Sequence, residues 1–535
     1  MKKLLGKNVD WRQLIKKPAY ILIYAYLILV FVIYPFYLRN GYMDIDESKY
    51  IFLSTVSKWM IMAIAVGIVI EVLANTENKY AFSIPTVTDC FFLAYLLITV
   101  ISVVLSIDRS AAISGYTGWY MGGFLIIMLG IMYLFISRFS VLGDGILTLI
   151  MVASTFVFIL GILNRFSVWP FPIEGSYATE FLSTIGNIGW YCGYISVTAP
   201  LGIALYILKT EMSKTERILY IIYLFIVFMT SLTQGADSMF IVLGLMFFLG
   251  LKYAGDSNEG LYRWLETVMV FCVAGQISNI IRHINLRIFT YNSTNMCDIF
   301  NDKLTTLFIL IPVVCVYVVL KLRRYVPSDK FKRFINRVMI IIPAIIALIV
   351  LMAIINTCFI GKTYDSELTG KETELFQKLA LKFLYLNEDW GSGRGKAISV
   401  GIRIFENQDI FHKLFGVGPD CMGTYIDGAP ELAKELEYYF EGDVLTNAHC
   451  EPVTSLVNIG ILGTVAFYGL LVSFICRCFH SDDKRCLAIA MCIICYIGYN
   501  LLNYANILNY PFMILLIAIG ENYMKNRQCG LEPAE

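Results

Sequence analysis

The strongest constraint on this chain is a series of long apolar segments that recurs along most of its length. An α-helix needs about 20 residues to cross a hydrocarbon core about 30 Å thick. Fourteen segments of roughly this length are recognisable: 19–38, 55–74, 90–107, 122–141, 145–163, 188–208, 218–232, 238–251, 265–281, 304–321, 338–357, 453–475, 486–503 and 507–522. No stretch alternates in polarity as the strands of a membrane barrel do. The sequence therefore predicts an all-α, polytopic membrane protein with about fourteen transmembrane helices.

Composition excludes the main soluble alternatives. Only 16% of the 535 residues are charged and 58% are hydrophobic, whereas a soluble domain has about 25% charged residues. So few charges cannot cover a water-exposed surface, and the apolar content also excludes a disordered chain. The formal net charge is +1, so no basic field indicates nucleic acid as a partner. Membrane lipids are the expected surroundings.

Lys and Arg residues set the expected orientation, because cytoplasmic loops are enriched in them. Six precede the first apolar segment: Lys2, Lys3, Lys7, Arg12, Lys16 and Lys17. A second basic run, 321–337, lies in the tenth loop of this map. With an even number of crossings, both termini and all even-numbered loops are expected in the cytoplasm. The sequence thus predicts a multi-pass protein of the cytoplasmic (inner) membrane whose odd-numbered loops are extracytoplasmic.

One loop, 358–452, is far longer than the others, and long ordered loops usually serve a function. Two stretches in it, 374–386 and 431–440, carry apolar residues at helical spacing. We expect this loop to form a small helical cap over the outer face. The expected organisation has four parts: transmembrane helices 1–11 in 1–357, the long extracytoplasmic loop 358–452, transmembrane helices 12–14 in 453–522, and a cytoplasmic tail 523–535.

Charged and titratable side chains gather on the outer side of this map, whereas the span interiors carry almost none. Those outside are His449, His412, Arg394, Arg403, Lys396, Arg165, Arg282, His283 and Arg287. Arg binds phosphate oxygens through a planar fork, and His can take a proton from a hydroxyl near neutral pH. Together they suit a reaction between a lipid diphosphate and a sugar hydroxyl. The alternative is that the Arg residues contact lipid headgroups and the His residues are solvated.

The segment 447–471, NAHCEPVTSLVNIGILGTVAFYGLL, contains a loop His followed by an apolar helix with two glycines and an aromatic residue. It resembles the C-terminal signature of the O-antigen ligase and polysaccharide polymerase family. The matching positions are His449, Glu451, Gly460, Gly463 and Phe467.

Further motifs of the same family are matched upstream, in order, over roughly residues 90–475. Segment 391–420 resembles the family's Ser-x-Arg and Gly-x-Gly stretch, segment 183–195 its Gly-Asn element, and segment 105–123 a loop before its fourth or fifth span. The matched residues are Arg394, Gly416, Gly418, Gly186 and Asn187.

The sequence departs from the family pattern at two places. Cys450 stands where the family usually has Asn. Segment 230–240 has Gln234 and Asp237, but no Arg, where many members have Ser-Arg-Gly-Ala. A phosphate-binding role of that Arg must be absent from this chain or be carried by another residue.

The resemblance implies a membrane glycosyltransferase that moves a glycan from a polyprenyl diphosphate carrier to a hydroxyl of an acceptor glycan, lipid or polymer. It implies no cofactor and no metal. His449 is the expected base and Arg394 the expected diphosphate-binding residue, with a helix-surface salt bridge as the alternative for Arg394. Arg403, Arg165 and Glu451 are further expected substrate-binding residues.

Each of these three has a plainer alternative. Arg403 would be a solvated helical side chain, and Arg165 would contact a lipid headgroup. Glu451 would either orient His449 or only cap the helix that begins near Pro452.

Other readings stay open from the sequence alone. A lipid-linked glycan flippase or another polytopic transporter also suits fourteen spans, and so does a non-enzymatic scaffold. A ligase and a polymerase differ only in the acceptor. A bridge between Cys421 and Cys450 is open. Four asparagines near the last two spans either line a glycan cavity or join helices by hydrogen bonds: Asn500, Asn503, Asn506 and Asn509.

Overall fold

A computed structural model describes residues 18–73, 85–175, 181–255, 257–284, 295–301, 303–323, 328–355, 388, 390–442 and 444–528. The helices in this part of the chain are α1 Pro18–Ile28, α2 Ile45–Leu73, α3 Val87–Leu105, α4 Arg109–Ser114, α5 Gly123–Arg138, α6 Gly145–Arg165, α7 Ile188–Leu208, α8 Lys214–Thr233, α9 Ser238–Ala254, α10 Asn258–Ile284, α11 Asn295–Asn301, α12 Lys303–Leu322, α13 Asp329–Ile355, α14 Trp390–Asn407, α15 Ile410–Phe415, α16 Met422–Asp427, α17 Pro430–Tyr439, α18 Glu451–Phe479, α19 Lys484–Asn500 and α20 Tyr510–Gln528. Helix α1 continues through a π-turn, Leu29–Ile33, and a 3₁₀ turn, Tyr34–Phe36. The strands in the described residues are one short antiparallel pair, β1 Phe181–Leu182 and β2 Gly186–Asn187. The predicted all-α class is confirmed.

Nine helices within the described ranges are long and apolar enough to cross a membrane: Pro18–Phe36, Ile45–Leu73, Val87–Leu105, Gly145–Arg165, Ile188–Leu208, Lys214–Thr233, Asn258–Ile284, Leu304–Leu322 and Glu451–Phe479. Gly123–Arg138 and Ser238–Ala254 are shorter apolar helices. Each of the fourteen predicted apolar segments overlaps one helix. The chain is thus a multi-pass membrane protein, and the count of fourteen crossings stays a prediction.

The connections between helices gather at two opposite ends of the molecule. At one end, the Trp119 indole donates to the Thr446 hydroxyl at 2.7 Å, and the Tyr42 hydroxyl donates to the Ser183 carbonyl. We call this the cap end. At the other end, the base end, Arg485 pairs with Asp144 at 2.8 Å. The cap-end contacts join odd-numbered connections of the predicted map, and the Arg485–Asp144 pair joins two even-numbered ones.

The degree of burial separates central helices from peripheral ones. Helix α7, which is apolar on every side, is buried along nearly its whole length. Helix α20 is buried to a similar extent, although its second half carries Glu521 and Lys525. Helix α12 is almost entirely exposed, with Phe308 74% exposed. Such apolar exposure suits contact with lipid chains.

Buried charges form an ion-paired cluster at the base end. Asp89 pairs with Arg138 at 2.7 Å and with Lys525 at 3.0 Å, and Glu521 pairs with Lys525 at 3.6 Å and with Arg477. The sequence predicts span interiors that are almost free of charge. The charges of this cluster lie outside the predicted apolar segments or at their ends, where mutual pairing offsets the loss of hydration.

The described part of the predicted cap is helical. It consists of α14 to α17, which enclose a small apolar core that includes Val400, Ile404, Met422 and Leu436. The predicted helix over 431–440 corresponds to α17. The other expected stretch, 374–386, lies outside the described residues.

Helix α18 is broken where the cap meets it. Gly460 has φ +69°, and the chain before α16 supplies hydrogen bonds there: Val417 N donates to Val457 O and Gly418 N to Asn458 O, both at 3.0 Å. A Cβ at Gly416 would lie 2.2 Å from the Asn458 backbone. The glycines of the 391–420 and 447–471 motifs therefore allow close approach of two backbones, which seats the cap on α18.

Candidate functional site

His449 lies at the cap end, immediately before α18. Its backbone has φ +47°, which is uncommon for a residue with a side chain. The Asn447 side-chain oxygen accepts a hydrogen bond from His449 N at 2.9 Å and so holds this conformation. The half-buried imidazole lies edge-on to the Tyr504 ring, with 5.2 Å between ring centroids.

Arg394 lies at the start of α14, where its half-buried guanidinium is close enough to His449 to act on it electrostatically. Its Nε donates to the Leu502 carbonyl at 2.8 Å, and Nη1 donates to the Gly391 carbonyl at 2.7 Å. Among the described residues no carboxylate pairs with Arg394 and no group accepts from Nη2. Within the described ranges, Arg394 thus forms no helix-surface salt bridge, and its Nη2 is available there to a ligand.

The electrostatic setting keeps His449 neutral. Burial lowers the pKa of the imidazole to about 4, with the Arg394 guanidinium adding to the effect, because both disfavour the charged ring. One ring nitrogen of a neutral imidazole carries a lone pair. Within the described part of the chain neither ring nitrogen has a hydrogen-bond partner. His449 can thus accept a proton, and the positive charge of Arg394 near it can bind an anion.

Aromatic side chains extend the site away from His449. Tyr504 contacts the Trp119 ring at 4.6 Å, and Trp119 contacts Trp190 edge-on at 5.9 Å. All three rings are half-buried. Aromatic faces beside a base and a guanidinium suit a ligand with both an apolar ring face and a charged group. Sequence reasoning missed these rings, and the available signals were the positions of Trp119 in the matched segment 105–123 and of Trp190 in the matched segment 183–195.

Glu451 follows His449 by two residues but forms no hydrogen bond with it. Its carboxylate accepts from the Ser455 hydroxyl at 2.8 Å and from Ala505 N at 2.7 Å. As the first residue of α18, it points its side chain to the segment between α19 and α20. The structure therefore corrects the hypothesis that Glu451 orients His449 directly, and it also shows no cap on the α18 backbone.

Asp420 is a buried carboxylate that sequence reasoning missed, although it directly follows the Gly-x-Gly stretch. Its Oδ2 accepts from Tyr116 N at 2.8 Å and from Met121 N at 2.9 Å. Asp420 and Glu451 line the same small cavity of about 50 Å³. Burial raises the pKa of Asp420 to about 7, and the charge of Glu451 contributes. Asp420 thus ties the loop before α5 to the cap.

Arg403 and Arg165 have other surroundings. Arg403 pairs with Glu435 at 2.9 Å on the cap surface, beside a groove of about 700 Å³ that Tyr425 also lines. This agrees with the plainer alternative for Arg403, a solvent-exposed helical side chain. Arg165 is buried at the end of α6, near Cys192.

Segment 230–240, which lacks the Arg of the family pattern, also contacts Cys192. The Gln234 side chain accepts from the Cys192 thiol at 3.0 Å and donates to the carbonyls of Ser231 and Ala236. Gln234 therefore closes its own turn, and Arg165 is the positive charge that acts on Cys192.

Within the described ranges, no group of three or more His, Cys, Asp or Glu side chains is placed to hold a metal ion. Cys421 and Cys450 are both free thiols.

No protein-family model matches this chain, and no curated protein does.

Proposed function

We propose that this chain is a membrane glycosyltransferase of the O-antigen ligase and polymerase type. It would transfer a glycan from a polyprenyl diphosphate carrier to an acceptor hydroxyl. One observation carries the proposal: a guanidinium that has no carboxylate partner among the described residues lies near a neutral, half-buried imidazole, which also contacts an aromatic ring. The resemblance of segments 391–420 and 447–471 to the family supports it.

The proposed reaction is a single displacement at the anomeric carbon. His449 takes the proton of the acceptor hydroxyl, and the oxygen of that hydroxyl forms a bond to the anomeric carbon. The bond between the carbon and the diphosphate oxygen breaks, and the electron pair leaves with the diphosphate. Arg394 stabilises the charge that develops on the leaving group. The proton on His449 then passes to water or to the released diphosphate.

In the proposed orientation, the cap end is extracytoplasmic, both termini are cytoplasmic, and the chain crosses the inner membrane fourteen times. The donor would then reach Arg394 from the outer leaflet. The aromatic rings Trp119 and Trp190 would lie against sugar rings of the donor or the acceptor. The partners are thus the lipid-linked glycan, the acceptor glycan, lipid or polymer, and the surrounding lipids.

The test is glycan transfer by the purified protein, using lipid-linked glycans extracted from the membranes of its host as donor. His449→Ala and Arg394→Ala should each lower transfer by about 10²-fold or more, since a positioned base contributes about 10²–10⁴-fold and a charge-stabilising donor about 10²–10³-fold. Arg394→Lys should restore little, because an ammonium lacks the planar fork.

His412→Ala is the matched control. His412 lies in the same cap, where it contacts Asp409 at 2.5 Å and the Leu105 carbonyl at 3.2 Å, away from His449. Its loss should leave transfer nearly unchanged. Normal transfer by His449→Ala would refute the proposed base. A flippase would instead move the donor across vesicle membranes without forming a glycosidic bond, and its activity would tolerate His449→Ala.

A further inference from the structure

One connecting segment holds the groups of the proposed site together. Residues 501–509 join α19 to α20 at the cap end, and their backbone bonds to three separate elements. These bonds run from Arg394 Nε to Leu502 O at 2.8 Å, from Glu451 N to Asn503 O at 2.9 Å, from Ala505 N to Glu451 Oε2 at 2.7 Å, and from Ile507 N to Trp119 O at 3.2 Å. We call this segment the connector.

Buried asparagines fix the connector itself. The Asn506 side chain accepts from Leu508 N at 2.9 Å, and the Asn509 side chain accepts from Asn506 N at 3.1 Å. Tyr34 adds a hydrogen bond from its hydroxyl to the Ile507 carbonyl at 2.6 Å. These hydrogen bonds lie within the connector and account for the burial of Asn506 and Asn509. The connector is therefore a fixed frame.

Tyr504 is the connector side chain that reaches His449. Its ring lies edge-on to the imidazole at 5.2 Å and an interplanar angle of 81°. Its other ring contact is Trp119, at 4.6 Å. Its hydroxyl interacts with the side chains of Asn447 and Trp190, and Asn447 also binds the backbone of His449. Tyr504 thus touches both the His449 ring and the amide that sets its backbone.

A catalytic His usually has its second ring nitrogen bound to a carboxylate or a carbonyl, which fixes the ring. Among the described residues His449 has no such partner, because the Glu451 carboxylate is bound to Ser455 and Ala505. Among the residues that the structure describes, packing against the Tyr504 ring is the contact that can fix the imidazole.

We propose that Tyr504 is a positioning residue: its ring holds the imidazole of His449 in one orientation beside Arg394 through aromatic packing rather than a hydrogen bond. This inference rests on the proposed function for its catalytic consequence but not for the packing itself. Tyr504→Leu removes the ring, whereas Tyr504→Phe keeps the ring and removes only the hydroxyl. The two variants therefore separate the ring from the hydroxyl.

The packing is tested on the full-length protein with diethylpyrocarbonate, by following carbethoxylation of each His by mass spectrometry. Tyr504→Leu should raise the rate at His449 severalfold and leave the rate at His412 unchanged. Tyr504→Phe and the exposed cap control Tyr438→Leu should react like the parent protein. An unchanged rate at His449 in Tyr504→Leu would overturn the proposal, and so would an equal rise at His412, which indicates general loosening.

The catalytic consequence is tested by steady-state transfer. Misplacement of a reacting group by about 1 Å costs about 10²-fold, so Tyr504→Leu should lower kcat by about 10- to 100-fold. The KM for the donor should stay within about twofold, since Arg394 is held by the Leu502 backbone. Recovery of kcat in Tyr504→Phe supports the role of the ring, whereas a KM effect alone contradicts it. If the parent protein transfers no glycan, the proposed function fails while the carbethoxylation result still decides the packing.

Discussion

The imidazole of His449 and the guanidinium of Arg394 influence each other at the level of single residues. With no anion bound, burial and the positive charge both hold the pKa of His449 low, at about 4. An anionic diphosphate on Arg394 would oppose that charge and raise the pKa. His449 would therefore become a stronger base when such an anion is bound, and the free protein would keep it neutral and ready to accept a proton.

This coupling gives a pH prediction for one residue. Replacing Arg394 by Ala should raise the pKa of His449, because one of the two causes of its lowering is removed. Inorganic pyrophosphate should raise the pKa in the parent protein and have no effect in Arg394→Ala. The measurement is NMR titration of ¹⁵N-His protein in which the other histidines, His283, His412 and His480, are replaced. A pKa that is indifferent to Arg394 would contradict the coupling.

Sequence reasoning found His449 and Arg394 because both lie in matched motifs. It missed Asp420 and Tyr504, since each reaches the site through contacts between distant segments. For Glu451 it offered two alternatives, to orient His449 or to cap the helix that begins near Pro452. The first turn of α18 directs Glu451 to Ala505 instead, and only the fold reveals which side of a helix a residue faces.

At the level of elements, apolar length predicted where helices form but not where one of them breaks. Residues 453–475 read as one continuous span, whereas the structure interrupts α18 at Gly460. The break is stabilised by a segment about 40 residues upstream, through the bonds of Val417 and Gly418. Backbone groups freed inside an apolar region must find such partners, and no local pattern states which partners these are.

The loop that Asp420 anchors should open more readily as the pH rises. The folded protein holds a proton on Asp420 up to about pH 7, while an unfolded Asp releases it near pH 4. Protonated Asp420 therefore stabilises the folded loop. This contribution to the free energy of unfolding is full in acid and is lost as the pH rises through 7. Hydrogen exchange of residues 115–121, corrected for its intrinsic pH dependence, should therefore be faster at pH 8 than at pH 6.

Asp420→Asn provides the control for this prediction. The amide keeps an oxygen that can accept from Tyr116 N and Met121 N, but it cannot ionise. Exchange of 115–121 in this variant should not change between pH 6 and pH 8. A pH dependence that persists in Asp420→Asn would assign it to another group.

For the whole molecule, the sequence predicted the order of loops better than the surroundings of each helix. Serial crossings place alternate connections at opposite ends, and the structure shows that arrangement at the cap and base ends. Apolar length could not tell central helices from peripheral ones, since α7 and α12 are both apolar. Their difference in burial follows from how many neighbours each helix packs against.

The basic residues before the first span and in 321–337 predict that the base end faces the cytoplasm and that the cap end faces outward. In a Cys-depleted background, Tyr438→Cys on the exposed surface of α17 and Asp482→Cys at the base end should behave oppositely. A membrane-impermeant maleimide should label Tyr438→Cys in intact cells and Asp482→Cys only after the cells are opened. The reverse pattern would put His449 and Arg394 in the cytoplasm, where a donor in the outer leaflet cannot reach them, and the proposed reaction would have to be abandoned.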